Sequence, residues 1–551
     1  MIEILVKNNL INLLESKTFN EFLLDWIIKQ RWSGLTGQTI ESMKIIDYFI
    51  ESEYENKILL LLINIETQFL NKSRNIKYIV SYIIIRKLDK NVVLKIKYNN
   101  EIYYLSDASK YLVYYQWILK NFMKKREMLF QKGSNLFYNY DINNINGIKV
   151  KDFSILGGGD TTNSVIRLEL FDNKSIVLKE YKVLKKQRET DILKFLTKMK
   201  FRYSPMLYGN VNLKIDEKTF DIAIIMENIK SIGDGGTLFW DNLLKYLDNM
   251  VKGKILKDEV KIYEKLRNDS ELINIIDRLT ISIVNFHKIM ENFNGKNEFF
   301  NSEDITFYGK FLNDLIKECK IKLANLDLIK VHKFLKNIYE ELFVNEPKFH
   351  KLQLLRKNLN GMKKIVCHQD LHFAQMLTSK QEHNINFYLI DFEGDPQLKY
   401  DLKIAKDIVF RDIAPLITAL YYIQFNALVE IDKKYNSKNH DYYSLFKRIY
   451  SYSYDNKDFL NNYDLKFYHI FNFSNNWNKF IREKIVSNYF QKYNLEFKDK
   501  INFTNNKSFI FNSIKLYTID RAIRELKYEL THRINNIIIP LFILWENLRD
   551  I

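Results

Sequence analysis

The sequence predicts an α+β protein, with a mixed, sheet-bearing N-terminal part followed by a mainly helical C-terminal half. Three observations carry this. Runs of β-branched and aromatic residues separated by polar turns fill residues 40–105 and return at 150–180. Helical periodicity dominates from about 240 to 345 and from 405 onward. The 551 residues are 46% apolar and 27% charged, which suits a globular chain with a large core and excludes disorder as its main state.

Residues 11–32 read as a helix, with Leu13, Leu14, Phe22, Leu23, Trp26 and Ile27 among its apolar positions. The runs 57–65, 77–85, 92–97 and 102–105, broken at turns such as Glu55-Asn56 and Asn99-Asn100, predict a small antiparallel sheet. A helix is expected from 107 to 125. Strands follow at 153–156, 164–170 and 175–179, and another at 222–225. No internal repeat or low-complexity linker divides the chain; only Asn/Lys-rich loops such as 292–303 interrupt it.

Lys plus Arg number 84 against 67 Asp plus Glu, a formal net charge of +17. The acids are interspersed with the bases and no basic tail exists, so we expect no nucleic-acid partner. The excess fits a chain rich in Asn, Lys, Ile, Tyr and Phe and poor in Gly and Pro. Two cysteines, Cys319 and Cys367, exclude a disulfide framework and a four-cysteine zinc site. Glu3 comes early and no long apolar run follows it, so no secretory signal is read. No strongly apolar run approaches the ~20 residues of a membrane span, so no membrane association is expected and the expected compartment is the cytoplasm.

The sharpest chemical signal is Cys367-His368-Gln369-Asp370-Leu371-His372-Phe373-Ala374-Gln375, followed by Phe387-Tyr388-Leu389-Ile390-Asp391-Phe392-Glu393-Gly394. A His-x-Asp, an amide five residues after the Asp, and a strand ending in Ile-Asp-Phe are what phosphoryl transfer of the protein-kinase type needs. Asp370 would take the proton of the attacking hydroxyl, while Gln375 and Asp391 would hold metal. The plainer reading makes His368 and His372 core or metal-ligand residues and Asp391 a turn cap. Zinc lacks a thiolate set here, and two histidines four apart without the zincin Glu are a weak signal.

Upstream, Gly157-Gly158-Gly159-Asp160-Thr161-Thr162 joins two strands in a chain that seldom uses glycine, as a backbone that covers phosphates would require. It is no Walker A loop, since no Gly-Lys-Ser/Thr follows. Lys179 ends the next strand, as a phosphate-pairing lysine would, or as a lysine snorkelling to solvent would. Its acid partner on the following helix is Glu189 or Asp191. Met226-Glu227-Asn228 closes a buried strand where backbone groups would meet adenine.

These residues resemble the maltokinases, a branch of the aminoglycoside-phosphotransferase-like kinases in the protein-kinase-like superfamily. His368–Gln375 matches their His-Gly-Asp-Leu-His-Leu-Gly-Gln, and Ile390–Pro396 their Ile-Asp-Phe-Glu-Gly-Glu-Pro. Arg411-Asp412-Ile413-Ala414 matches Arg-Asp-Val-Ala, Gln30-Arg31-Trp32 matches Gln-Arg-Trp, and Asp234-Gly235-Gly236 echoes Asp-Gly-Trp. Arg524-Glu525, Tyr528-Glu529, His532-Arg533 and Ile539-Pro540-Leu541 follow the family's Tyr-Glu-x-x-Tyr-Glu-x-x-Asn-Arg-Pro and Ile-Pro-Leu. The resemblance therefore spans nearly the full length.

It implies a bilobal kinase-like fold, with an N-terminal cap subdomain at 1–110, the remainder of an ATP-binding lobe at 111–228, and a catalytic, sugar-binding lobe at 229–551. It implies ATP and Mg2+ as cofactors and maltose 1-phosphate as product, feeding α-glucan (glycogen) synthesis. A trehalose synthase is an implied partner, and the chain would act as a monomer or weak dimer. Asp370 becomes the base, Gln375 and Asp391 the magnesium ligands, and Glu393 a further metal contact. Lys179 binds phosphate, with Gly158, Thr161, Thr162, Met226, Glu227 and Asn228 around the nucleotide. His368, His372, Arg411, Trp477, Glu525, Tyr528, Glu529 and Arg533 are the substrate candidates; Trp477 and Tyr528 also read as core residues, and Glu525 and Glu529 as a solvated i, i+4 face. Gln369 and Ala374 replace glycines of the motif, and alignment through Phe195-Leu196-Thr197 puts Asp191 at the family's helix-acid position. Arg524, His532 and Ile534 depart from it where the sugar would sit. A related sugar kinase, such as a glucosamine kinase, and a non-catalytic kinase-like binding module are the alternatives.

Overall fold

The computed structural model describes residues 2–6, 12–69, 72–140, 149–157, 163–253, 256–327, 329, 333–344, 348–381, 384–435, 441–454, 462–496 and 507–549. The chain divides into two compact units. One comprises 1–198 with 205–228, and the other 199–204 with 229–551.

The first unit holds two sheets. Strands β1 (Ile2–Val6), β2 (Thr39–Glu53), β3 (Asn56–Phe69), β4 (Lys72–Ile85), β5 (Val92–Tyr98) and β6 (Glu101–Asp107) form a six-stranded sheet in the order β1-β5-β6-β4-β3-β2. The small antiparallel sheet expected at 40–105 is thus larger, and one pair, β1 with β5, is parallel. Strand β2 carries bulges after Ile40 and Ile45 that break the two-residue alternation, so its sequence does not announce it. The helix expected at 11–32 is two helices, Asn12–Glu15 and Lys17–Ile28, separated by Ser16, whose Oγ accepts from the Phe19 amide at 3.1 Å. The helix expected from 107 begins at Leu112, because Asp107 caps a short 3-10 turn over Ala108–Lys110 instead.

The second sheet is formed by β7 (Met128–Leu129), β8 (Asn135–Tyr140), β9 (Val150–Leu156), β10 (Ser164–Leu170), β11 (Ser175–Glu180), β12 (Leu207–Ile215) and β13 (Lys218–Glu227), in the order β7-β8-β12-β13-β11-β10-β9. Strands β8 and β12 had no counterpart in the sequence reading. One apolar core joins the two sheets, with Leu60, Leu62 and Ile83 of the first packed with Leu168, Leu178 and Ile225 of the second and with Trp117 and Phe122 of the helix Leu112–Met123. The region expected as a cap subdomain of this lobe shares its interior with the sheet that bears Lys179.

The second unit is mainly helical. Its long helices include Ser270–Met290, Ser302–Ala324, Phe410–Tyr435, Asn462–Lys492 and Lys507–His532. The helix Phe410–Tyr435 is long and apolar enough to cross a membrane by composition, but 78% of its apolar window is buried, so it is read as a core helix. A three-stranded sheet of Gly233–Asp234, Met376–Gln381 and Asn384–Leu389 sits among these helices. The pairing Met376 with Leu389 brings the ends of the two catalytic-type motifs side by side.

Candidate active site

In the first unit, Lys179 lies on β11 between Val165 of β10 and Ile224 of β13. Its Nζ is 2.6 Å from Glu189 Oε2, and both side chains are almost wholly buried. The Tyr181 hydroxyl donates to the same carboxylate oxygen at 2.7 Å. Glu189 is thus the acid partner, and the alignment that favoured Asp191 is corrected. The helix Glu189–Lys198 starts at Glu189, and two positions of a helix differ by about 200°, so Asp191 turns outward and is exposed. At the end of β13 the Glu227 amide donates to the Met206 carbonyl at 2.9 Å and Asn228 Nδ2 donates to Ser175 Oγ at 2.7 Å. Met226, paired with Val177 and Leu207, is half-buried. Gly158, Thr161 and Thr162 lie outside the described residues.

In the second unit, the segment around Asp370 is held by one buried carboxylate. Asp412 accepts the His368 amide at 2.7 Å on Oδ2 and the Gln369 amide at 2.6 Å on Oδ1. His287 Nε2 lies 3.0 Å from the same Oδ2, and its Nδ1 lies 2.6 Å from the Tyr489 hydroxyl. These contacts hold the Asp412 carboxyl below its usual range against the opposing effect of burial. Gln369 has φ +72°, a left-handed value that suits the glycine of the resembling motif. Here Gln369 reaches it with its side chain bonded to the Leu402 carbonyl at 3.0 Å. Asp391 is also left-handed, at φ +63°.

Asp370 is buried. Its Oδ1 lies 2.8 Å from Arg521 Nη2, and His372 Nε2 lies 3.7 Å from its Oδ2. Burial pushes the Asp370 carboxyl up to about 6, Arg521 opposes this, and Asp395 and Glu525 add to it. Burial likewise pushes the His372 ring down to about 4, so it is neutral at pH 7. Gln375 and Asp391 come close through the Ile390 amide, which donates to the Gln375 carbonyl at 3.0 Å. An amide oxygen and carboxylates are the hard oxygen donors that magnesium takes, so Gln375, Asp391 and Glu393 fit that ion.

Gly235 backs this loop, its amide donating to the carbonyls of Phe373 (3.1 Å) and Met376 (2.8 Å). A Cβ there would meet the Phe373 carbonyl at 3.0 Å and Met376 Cβ at 3.1 Å. Gly235→Ala is therefore expected to cost about 1–3 kcal/mol in denaturant unfolding. An unchanged midpoint would mean that the loop yields freely.

Several substrate candidates are corrected. The His368 ring is buried, with Nε2 2.9 Å from the Ile390 carbonyl, so it ties the two motifs together. Arg411 is buried between Asp407 and Asp520 at 2.7 Å each. Its neighbour Asp412 faces the loop instead. Trp477 is fully buried and donates to Asn242 Oδ1 at 2.9 Å, a core role. Glu525, half-buried, lies 2.5 Å from Arg521 Nη2. Glu529 is buried, accepts from Tyr422 at 3.3 Å and lies 3.4 Å from Arg533 Nε. Burial is the main cause that lifts its carboxyl to about 7. Tyr528 packs on His532, ring centroids 4.6 Å apart, with the exposed Arg533 guanidinium 5.1 Å from its ring centroid. Asp395, Asp412, Arg521 and His287 had no place in the sequence reading of the site. Asp412 and Asp395 fall inside two matched motifs, Arg411–Ala414 and Ile390–Pro396, without being given a role there.

No family model matches the chain, and no curated protein sequence matches it. Among the solved structures that resemble it, two do so along nearly its whole length. One is a glucosamine kinase in complex with glucosamine, ADP and inorganic phosphate, with a TM-score of 0.53, 10% identity, and 97% of this chain and 98% of that one covered. The other is a glucosamine kinase in its crystal form A, with a TM-score of 0.51, 11% identity, and 93% and 92% covered. At such identities the likeness establishes the fold, which is kinase-like α+β.

Proposed function

We propose that this chain transfers the terminal phosphoryl group of ATP to the anomeric hydroxyl of a sugar, with maltose the acceptor and maltose 1-phosphate the product. The observation that carries the proposal is Asp370: a buried carboxylate on a loop fixed by Asp412, five residues before Gln375 and joined through it to Asp391. The kinase-like fold and the buried Lys179–Glu189 pair support it.

In this reaction the anomeric oxygen bonds to the γ-phosphorus, the bond from that phosphorus to ADP breaks, and Asp370 takes the hydroxyl proton. Lys179, oriented by Glu189, binds phosphate oxygens. Gln375 and Asp391, with Glu393, would hold magnesium, which when bound neutralises charge on the phosphates. A general base works deprotonated. With Asp370 raised to about 6, turnover is expected to fall about tenfold per pH unit below that value and to level above it. A profile flat from about pH 5 to about pH 8 would remove Asp370 from this role.

Two features favour a neutral acceptor over an amine. Glu525 is already paired with Arg521, and Glu529, raised to about 7, lies against Arg533. An ammonium group would want an unpaired carboxylate. The test is a panel of maltose, glucose and glucosamine with magnesium–ATP, read as acid-labile anomeric phosphate. Maltose is the expected acceptor. Preferred turnover of glucosamine would replace the acceptor, and transfer to no sugar would favour a binding module. The same proposal places the chain in the cytoplasm, as a monomer or weak dimer, with a trehalose synthase as the partner to seek by co-purification.

A further inference from the structure

We infer that Arg521 is the positioning residue of Asp370: its guanidinium holds one carboxylate oxygen and leaves the other for the acceptor hydroxyl. The inference rests on the kinase reading above for what Asp370 does, and on geometry for how it is held. Arg521 Nη2 lies 2.8 Å from Asp370 Oδ1 and 2.5 Å from Glu525 Oε1. Asp370 Oδ2 is not on the Arg521 contact; the neutral His372 ring lies beside it, Nε2 3.7 Å away. One oxygen is thus tethered, and the other is available for proton transfer.

The tether is anchored deep in the helical unit. Arg521 Nη1 is 3.9 Å from Asp395, which pairs with Arg524. Arg524 bonds Asp520 at 3.0 Å, and Asp520 bonds Arg411 at 2.7 Å. Charges alternate along this ladder, and every side chain in it is at most 12% exposed. Burying so many ions carries a desolvation cost that well-packed apolar residues would avoid. What the ladder supplies is a fixed site for a cation that cannot lose its proton. The ladder ends on Asp370.

The titratable and charged groups facing Asp370 are Arg521 and Glu525 from the helix Lys507–His532, Asp395 from the segment Ile390–Pro396, and His368 and His372 from its own loop. Arg521 favours the carboxylate, whereas Glu525 and Asp395 disfavour it. Opposite shifts are therefore expected from the two ends of one contact.

The experiment follows the Asp370 Cγ resonance in protein labelled with 13C at aspartate Cγ, identified as the signal missing from D370N. Its midpoint is expected to rise by about one unit or more in Arg521→Met and to fall in Glu525→Gln. Arg521→Lys keeps the charge but not the fork. Its midpoint should stay near wild type while turnover of maltose with magnesium–ATP drops at least about tenfold, with KM for ATP kept. An unmoved midpoint in R521M, or R521K turnover within about twofold of wild type, overturns the inference. If R521M does not fold, E525Q decides, since an unmoved midpoint there means that Glu525 and Asp370 do not share the guanidinium. If the wild-type chain phosphorylates no sugar, the kinase reading fails, while the titration still reports whether Arg521 holds Asp370.

Discussion

Replacing Asp370 by Asn is expected to lower turnover by roughly two orders of magnitude or more while leaving ATP affinity near wild type. The amide has nearly the size of the carboxylate but cannot take a proton. It also leaves the Arg521 guanidinium with Glu525, 2.5 Å away, so the cation is not orphaned. The fold should survive, and a melting curve close to wild type would make the kinetic loss interpretable. Initial rates with magnesium–ATP, alongside ATP binding by calorimetry, check this. Wild-type turnover in D370N would mean that another group takes the proton.

Asp412→Ala is the substitution expected to cost most in stability, about 3–5 kcal/mol in denaturant unfolding. It strips the acceptor from two backbone amides, at 2.7 Å and 2.6 Å, and from His287 at 3.0 Å. His368, Asp412 and His287 are fully buried, so water cannot readily replace the lost carboxylate. The left-handed turn at Gln369 would lose the bond that holds its amide, so activity should fall even in the folded fraction. A loss below about 1 kcal/mol would show that the loop is fixed by other contacts.

The residues proposed for phosphoryl transfer were legible because the chemistry proposed for them demands such groups at short, ordered spacings. Asp370, Gln375 and Asp391 sit in two local motifs, and Lys179 ends a strand whose apolar run announces it. The choice between Glu189 and Asp191 was not legible by alignment, because it depends on where the helix starts. Strand β2 escaped because its bulges break the alternation that marks a strand. Asp412, Asp395 and Arg521 escaped for a different reason. Each acts across 25 or more positions of sequence, Arg521 reaching Asp370 from a distant helix, and no local pattern encodes such a pairing. Trp477 and Arg411 were misread in the opposite direction. An arginine within a matched motif, or an aromatic in the lobe expected to hold the sugar, looks ligand-facing until burial is known, and both are interior. Gln369 shows that a left-handed position, of the kind glycine favours, can carry a glutamine, here helped by a side-chain bond to the Leu402 carbonyl.

The most direct test is phosphorus NMR of the chain incubated with maltose and magnesium–ATP. We expect a new anomeric phosphate signal, coupled to the sugar's anomeric proton, growing in step with ADP and absent in D370N. Release of ADP with free phosphate alone, or an unchanged ATP spectrum beside every sugar tried, would contradict phosphoryl transfer to a sugar hydroxyl.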